Sequence, residues 1–240
     1  MEFYTITSET LLIDDVSHIL KSNFKIELAD NVKEKIIKCR KYLDDKLNSS
    51  DNIYYGINTG FGSLCDKVVS NADLEQLQKN LVMSHACGMG DEVDHDIVKL
   101  MLLLKIKGLS LGHSGVTIEL VERLVFMFNN NILPVIYRLG SLGASGDLAP
   151  LAHLSLPLIG MGYVDVNGER KKSGEVLAAF NLKPLVLKAK EGLALLNGTQ
   201  FMSAHAVMAI IRSSNILHWA DTIAAMSIDA FDVGNSPFID

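Results

Sequence analysis

The sequence has 240 residues, 48% of them hydrophobic and 21% charged, an ordinary composition for a soluble globular protein with one large domain or two small ones. Its formal net charge of -6, with no basic cluster beyond residues 170–172, argues against a nucleic-acid-binding protein. Its three cysteines, Cys39, Cys65 and Cys87, are far apart and form no CxxC motif, which excludes a dense disulfide framework and a simple structural zinc site.

The same features favour a cytoplasmic location. Widely spaced cysteines fit a reducing compartment. The first residues lack the basic and then apolar layout of a signal peptide. The longest apolar run, residues 100–104, is far too short to cross a membrane. We therefore expect neither a membrane nor a nucleic acid as a partner.

The hydrophobic pattern predicts a mainly α-helical protein with small β pieces. Short β-prone pieces lie near residues 3–6 and 24–28, and a hairpin is predicted at 163–170, where Asn167-Gly168 supplies the turn. Apolar residues at helical spacing predict helices over about residues 32–47, 71–86, 94–107, 116–128, 148–159, 173–180 and 199–230.

Residues 140–147 (GSLGASGD) form a glycine-rich loop with three interpretations: a flexible connector, a phosphate cradle, or a loop that modifies itself. A phosphate cradle usually ends in Lys-Ser/Thr, whereas Asp147 stands here and would repel phosphate. In the third interpretation, the Gly146 nitrogen attacks the carbonyl carbon of Ala144. Loss of water from the ring and from the Ser145 side chain then leaves an electrophile, 4-methylidene-imidazole-5-one (MIO).

Four segments together resemble one enzyme family. Residues 143–153 (GASGDLAPLAH) resemble the signature of the histidine and aromatic amino-acid ammonia-lyases. The Ala-Ser-Gly tripeptide alone recurs by chance, but this eleven-residue context is highly specific. In the family's order, the other segments are residues 55–62 (YGINTGFG), 80–86 (NLVMSHA) and 191–199 (EGLALLNGT).

The resemblance implies the helical fold of an ammonia-lyase, with residues 1–240 as its MIO-bearing N-terminal part. Residues 234–240 form a loop-like end, so we expect the sequence to stop within the central helical region of a longer protein. MIO would form autocatalytically from Ala144-Ser145-Gly146, without a metal or a nucleotide, and the full-length protein would be a homotetramer.

The implied reaction is non-oxidative elimination of ammonia from an amino acid, which for L-histidine gives urocanate. A tyrosine ammonia-lyase and a MIO aminomutase are alternatives within the family. This chain by itself could also be a catalytically inactive helical scaffold, because family active sites draw residues from the later portion and from several subunits.

The resemblance also assigns site residues. Tyr55 would be a catalytic acid or base near the substrate amine, although a tyrosine before a glycine-rich loop can simply anchor it. Asn197 would lie beside the MIO ring and the substrate carboxylate, or it would cap the following helix. Asp147 would orient the loop for cyclisation, cap the next helix, or do both.

The pair Ser84-His85 would select the substrate side chain. His85 lies on the apolar stripe of its helix, where a histidine can equally be a core residue. In similar lyases this position faces the substrate, and a histidine can bond an imidazole or a phenol. The pair therefore disfavours phenylalanine as the substrate.

Three other groups of polar residues look chemical but are interpreted as structural. The acidic run at residues 91–96 resembles a metal cluster, but it precedes a helix, where acidic residues are favoured by the helix dipole. His113 precedes another helix, and His153 lies within the helix that follows the glycine-rich loop.

Overall fold

The computed structural model describes residues 2–22, 24–49, 52–60, 67–70, 73–143, 146–234 and 236. The helices are α1 (Ile13–Lys21), α2 (Asp30–Ser49), α3 (Leu74–His85), α4 (His95–Ser110), α5 (Ile118–Asn129), α6 (Leu148–Ser155), α7 (Ser173–Ala179), α8 (Glu191–Leu196) and α9 (Gln200–Ala230). The strands are β1 (Phe3–Ile6), β2 (Lys25–Leu28), β3 (Met89–Glu92), β4 (Leu133–Pro134), β5 (Tyr137–Leu139), β6 (Tyr163–Val166) and β7 (Glu169–Lys172).

The mainly α-helical fold with small β pieces is confirmed. Predicted helices are present with bounds shifted by a few residues, and α6 continues into a 3-10 turn at Leu156–Ile159. The predicted hairpin is also present, because β6 pairs antiparallel with β7. Its turn residues, Asn167 and Gly168, have φ angles of 54° and 81°, the positive values that a two-residue hairpin turn requires.

One small sheet was not predicted. Strand β3 follows α3 directly and pairs antiparallel with β5. All four residues of β3 are exposed, so the strand lacks the alternation of buried and exposed residues that marks a half-buried strand in a sequence. The pairing nevertheless matters for the site, because it ties the end of α3 to the segment that leads into the glycine-rich loop.

Helix α4 forms the centre of the core. Leu100, Met101, Leu102 and Leu103 are fully buried, as the apolar run in the sequence predicted. The helix packs against α2 and α5, and it also contacts β4. Lys105 lies on the same helix and is only 2% exposed, which its position after the apolar run did not predict.

Three helices meet beside the glycine-rich loop. Helices α3, α6 and α8 all pack on one another. The side chain of Gln78 on α3 accepts a hydrogen bond from the Leu193 backbone N–H of α8 at 3.3 Å. Gly192 allows this close approach, because a Cβ at that position would lie 2.7 Å from the Gln78 carbonyl oxygen. These contacts pack the first half of α3 against the start of α8.

Residues 205–234 and 236 belong to a separate unit that consists mainly of the later part of α9. Its large apolar side chains are exposed, among them Ile216, Leu217, Trp219, Ile223 and Met226. By length and composition alone, the segment Glu191–Ala230 could cross a membrane, a property that it shares with core helices of soluble proteins. A helix that is apolar on most sides usually packs in an apolar environment.

Candidate active site

The glycine-rich loop is described on both sides of its centre. Ala144 and Ser145, the first two residues of the predicted MIO tripeptide, lie outside the described residues. Gly146, the third, has a φ of 112°, which favours glycine. A Cβ on Gly146 would lie 2.5 Å from the Gly198 carbonyl oxygen, so the backbone of the loop is packed directly against the turn after α8.

Asp147 joins three parts of this site. Its carboxylate accepts hydrogen bonds from the Ser141 hydroxyl at 2.8 Å and from the Met202 backbone N–H at 3.0 Å. Its backbone N–H donates to the Gly198 carbonyl oxygen at 2.8 Å. The residue is completely buried, and its side chain makes no capping bond to α6. Asp147 therefore braces the loop against the first turn of α9, where free backbone N–H groups favour a carboxylate.

A cavity of about 160 Å³ lies beside the loop. It brings together His85 from the end of α3 and Gly146 from the loop, and both were predicted site residues. The remaining lining residues are Cys87, Gly140, Leu142, Leu148 and Ala149. The cavity is thus mostly apolar with one titratable imidazole, a composition typical of a site for a small organic molecule.

His85 is held by its own helix. Its Nδ1 lies 2.9 Å from the Leu81 carbonyl oxygen and 3.1 Å from the Ser84 hydroxyl. Because a carbonyl oxygen can only accept, Nδ1 carries the proton, and in the neutral imidazole Nε2 is then an acceptor. Ser84 also donates to the Leu81 oxygen at 3.1 Å and does not line the cavity, so it contacts His85 rather than the space beside the loop.

Asn197 is the residue at the C-terminal end of α8, and its side chain is exposed. Its backbone carbonyl accepts a hydrogen bond from Lys105 Nζ at 3.2 Å. The next residue, Gly198, is the one that contacts Gly146 and Asp147. Asn197 therefore lies one residue before the contact with Gly146, and its predicted role stays a prediction.

Tyr55 is not among the residues that line this cavity. It is 60% exposed and belongs to a turn in which the Gly56 N–H donates to the Thr59 hydroxyl at 3.1 Å. Thr59 is fully buried and bridges to Val68, so the turn has a fixed base. The proposed catalytic role of Tyr55 stays a prediction, as do the roles of the other site residues.

Two of the three remaining polar groups, His153 and the acidic run, have structural contacts. His153 Nε2 accepts a hydrogen bond from the Gly88 N–H at 3.0 Å, and burial lowers the pKa of this imidazole, which keeps it neutral. Within the acidic run, Glu92 forms a bidentate ion pair with the Arg170 guanidinium, with N···O distances of 2.6 and 2.7 Å. His113 is exposed and lies beside a different surface cavity, far from the loop along the chain.

Sequence reasoning missed three residues of this site. Lys105 donates to the carbonyls of Ala194 and Asn197, but a lysine after an apolar run normally indicates the exposed end of that run. Ser141 bonds Asp147, and nothing in the sequence distinguishes it from other loop serines. Gly198 was recognised only as part of a motif, although a glycine next to a site residue is a usable signal of close backbone approach.

Comparison with known proteins places this geometry in a family. A model of the aromatic amino acid lyase family matches residues 11–240. The chain is 44% identical over 219 residues to a histidine ammonia-lyase of Staphylococcus aureus, strain MSSA476, and the alignment covers 91% of this chain and 43% of that protein. The chain thus spans less than half the length of this curated relative.

Solved structures give the same result. The histidine ammonia-lyase of Trypanosoma cruzi superposes with a TM-score of 0.88 at 35% identity, over 98% of this chain and 46% of that one. The tyrosine aminomutase of Streptomyces globisporus superposes with a TM-score of 0.90 at 32% identity, over 98% of this chain and 44% of that one. Enzymes with different products therefore share this fold closely.

Proposed function

This chain belongs to the aromatic amino acid lyase family, and from that membership we propose that the complete protein eliminates ammonia from L-histidine to give urocanate. The observation that carries the proposal is the cavity that His85 and Gly146 share. It sets a polar, hydrogen-bonding imidazole beside the loop where the electrophile would form. The similarity to histidine ammonia-lyases supports the same substrate.

The described residues fit a MIO group formed from Ala144-Ser145-Gly146. Gly146 supplies the attacking nitrogen, and its backbone is packed so closely on Gly198 that no side chain could be accommodated. Asp147, the residue after Gly146, is itself held by three hydrogen bonds, to Ser141, Met202 and Gly198, which restrains the direction from which the Gly146 nitrogen approaches. Once formed, the ring supplies an electrophilic methylidene that turns the substrate amine into a leaving group.

In this proposal His85 recognises the substrate ring. With Nδ1 bound to the Leu81 carbonyl, Nε2 is left to accept a hydrogen bond. An imidazole N–H of L-histidine is a suitable donor for it, whereas the ring of phenylalanine has none. Ser84 acts through its contact with His85 Nδ1, which helps to hold the imidazole in one orientation.

We assign the proton transfers and the carboxylate contact from the family resemblance of their segments. Tyr55 would act as the general acid or base near the substrate amine and β-carbon. Its exposed side chain stands on a turn with a buried base, an arrangement that lets the phenol reach a substrate. Asn197 would contact the substrate carboxylate through its exposed amide, and the fixed α8 end would hold it there.

A second candidate, a tyrosine ammonia-lyase or a MIO aminomutase, is favoured by one observation. An acceptor at His85 Nε2 fits a phenol O–H as well as an imidazole N–H. The close superposition on a tyrosine aminomutase is consistent with this alternative. The two candidates differ in substrate or product, so product analysis separates them.

We further propose that residues 1–240 alone are inactive or nearly so, and that the complete protein is a cytoplasmic homotetramer. The exposed apolar surface of the later part of α9 supports the assembly of several subunits, because large apolar surfaces usually mark an interface.

The test uses the complete protein, incubated separately with L-histidine, L-tyrosine and L-phenylalanine. Chromatography coupled to mass spectrometry identifies the products against standards, since β-tyrosine and L-tyrosine have the same mass, and the Ser145→Ala protein controls for contaminating enzymes. We expect urocanate, with kcat/KM for histidine at least about tenfold above that for the other substrates. A 4-hydroxyphenyl acrylate or β-tyrosine as the main product would instead establish the second candidate.

A further inference from the structure

Lys105 is a buried lysine that the proposed mechanism does not use. It lies on α4, two residues after the fully buried run that ends at Leu103, and is 2% exposed. Its Nζ donates hydrogen bonds to the Ala194 carbonyl at 3.0 Å and to the Asn197 carbonyl at 3.2 Å. Burying an ammonium in the core is costly, so its position calls for a physical reason.

The two acceptors lie at the C-terminal end of α8, a helix of six residues. The last carbonyls of a helix have no partners within it. Lys105 supplies donors to two of them at once, and thereby fixes both the final turn of α8 and the point where the chain leaves it. The other end of α8 is held separately, because Glu191 accepts hydrogen bonds from the Thr117 N–H and from the Lys188 N–H.

A short series of contacts leads from this point to the MIO tripeptide. The residue after Asn197 is Gly198, whose carbonyl accepts the Asp147 N–H at 2.8 Å. The same carbonyl would lie 2.5 Å from a Cβ on Gly146. Gly146 therefore rests against a turn whose position is set, one residue earlier, by Lys105.

We propose that Lys105 is a positioning residue for MIO formation: it fixes the Asn197-Gly198 turn against which Gly146 is held for ring closure. The proposal rests on the proposed function, since it assigns Lys105 a part in making the same MIO group.

The covalent step that this turn assists needs no outside reagent. A bond forms between the Gly146 nitrogen and the Ala144 carbonyl carbon. The Ala144 oxygen leaves as water with the amide protons of Gly146 and Ser145, which leaves a C=N bond. The Ser145 hydroxyl leaves as a second water with the Ser145 Cα proton, which leaves the exocyclic C=C bond. Since every atom comes from the chain, the protein's contribution is to hold the reacting groups together.

The experiment compares the complete unchanged protein with Lys105→Met, Lys105→Gln and the matched control Lys107→Met. Met keeps the length of the side chain without a donor, whereas Gln keeps N–H donors. Lys107 lies on the same helix and also donates to two backbone carbonyls, those of Thr7 and Glu9, away from the loop. Intact mass measures the dehydrated fraction, thermal melting measures stability, and steady-state kinetics separates kcat from KM.

We expect the unchanged protein and Lys107→Met to be two water molecules lighter than the encoded chain. Lys105→Met should dehydrate about tenfold more slowly, the size of effect expected from losing a hydrogen bond of this kind, and Lys105→Gln should fall between. The melting temperatures of the two Lys105 variants should not follow the order of their dehydration, because burying a methionine costs less free energy than burying a glutamine. The kcat per total chain should fall with the dehydrated fraction, while KM stays unchanged.

Equal dehydration of Lys105→Met and the unchanged protein would overturn this inference alone. So would dehydration that follows the order of the melting temperatures, or loss of folding in both Lys105 variants, because Lys105 would then serve stability only. An unchanged protein that is not dehydrated would overturn the proposed function, and this inference with it.

Discussion

The backbone N–H of Asp147 donates to the carbonyl oxygen of Gly198 at 2.8 Å, which joins the glycine-rich loop to the turn after α8. These residues are far apart in the sequence, yet both belong to segments that resemble the same family. The hydrogen bond gives that resemblance a physical basis, since the loop and the turn form a single packed unit around Gly146.

The first prediction concerns Ser145. In the complete protein, Ser145→Ala should abolish most of the lyase activity without unfolding the protein, because alanine has no hydroxyl to lose and the methylidene cannot form. Activity assays, circular dichroism and intact mass together provide the measurement. Near-normal turnover, or a simultaneous loss of folding, would contradict a role in forming the cofactor.

The second prediction concerns His85. His85→Phe should shift substrate preference from histidine towards phenylalanine, because the polar substrate loses its hydrogen-bond partner. Leaving a polar group unpaired in a site costs about 1–3 kcal/mol, so kcat/KM for histidine should fall about tenfold or more. An unchanged ratio of kcat/KM for the two amino acids would mean that His85 is a core residue.

The third prediction concerns Asp147. Asp147→Asn should slow MIO formation and lower the melting temperature, because an amide cannot accept from both Ser141 and Met202 with the strength of a carboxylate. We expect a loss of roughly 1–3 kcal/mol in stability. The control is Asp73→Asn, which changes an exposed aspartate that also accepts a serine hydroxyl, from Ser70 at 2.7 Å. Equal effects of the two substitutions would argue against a special role for Asp147.

The fourth prediction is a pH dependence that arises at Lys105. Burial lowers the pKa of its ammonium from 10.5 to about 7. Between these two pH values the unfolded chain holds a proton that the folded protein lacks, so the free energy of unfolding should rise as pH increases through this window. The measurement is the free energy of unfolding, obtained by denaturation at about pH 7 and about pH 9. Between these pH values it should rise less in Lys105→Met than in the unchanged protein, by on the order of a few kcal/mol. Identical pH dependence in both proteins would show that Lys105 keeps its ordinary pKa.

The fifth prediction concerns Arg170. Its hydrogen bonds hold the pKa values of Glu92 and Asp165 below their usual range. The stabilisation is present above the carboxylates' ordinary pKa values, near 4, and is lost as pH falls through the lowered values. Arg170→Gln should therefore destabilise the protein at neutral pH by less than about 1 kcal/mol, since the pair is partly exposed, and the difference should vanish in acid.

The control for this prediction is Arg138→Gln. Arg138 pairs with Asp94 through one bond at 3.2 Å, with both side chains more than half exposed. We expect a smaller effect, measured as the difference in unfolding free energy from the unchanged protein at each pH. A difference for Arg170→Gln that persists in strong acid would contradict the ion-pair explanation.

The sequence by itself determined the helical fold, the family and the location of the glycine-rich loop. The spacing of apolar residues in a sequence shows which face of a helix is buried. The helix α4 and its buried residues 100–103 could therefore be predicted. The Asn167-Gly168 turn was equally local, because its positive φ angles restrict which residues fit. The signature at residues 143–153 identified the family because it is long enough to be specific.

Only the tertiary structure decided which residues support the loop. Lys105 and Asn197 are 92 positions apart, and their hydrogen bond depends on how α4 packs beside α8. Asp147 could have capped α6, but its carboxylate is used by Ser141 and by the first turn of α9. A sequence pattern specifies the side of a helix that is buried and not the partner that buries it, so these contacts arise only when the separate elements are packed together.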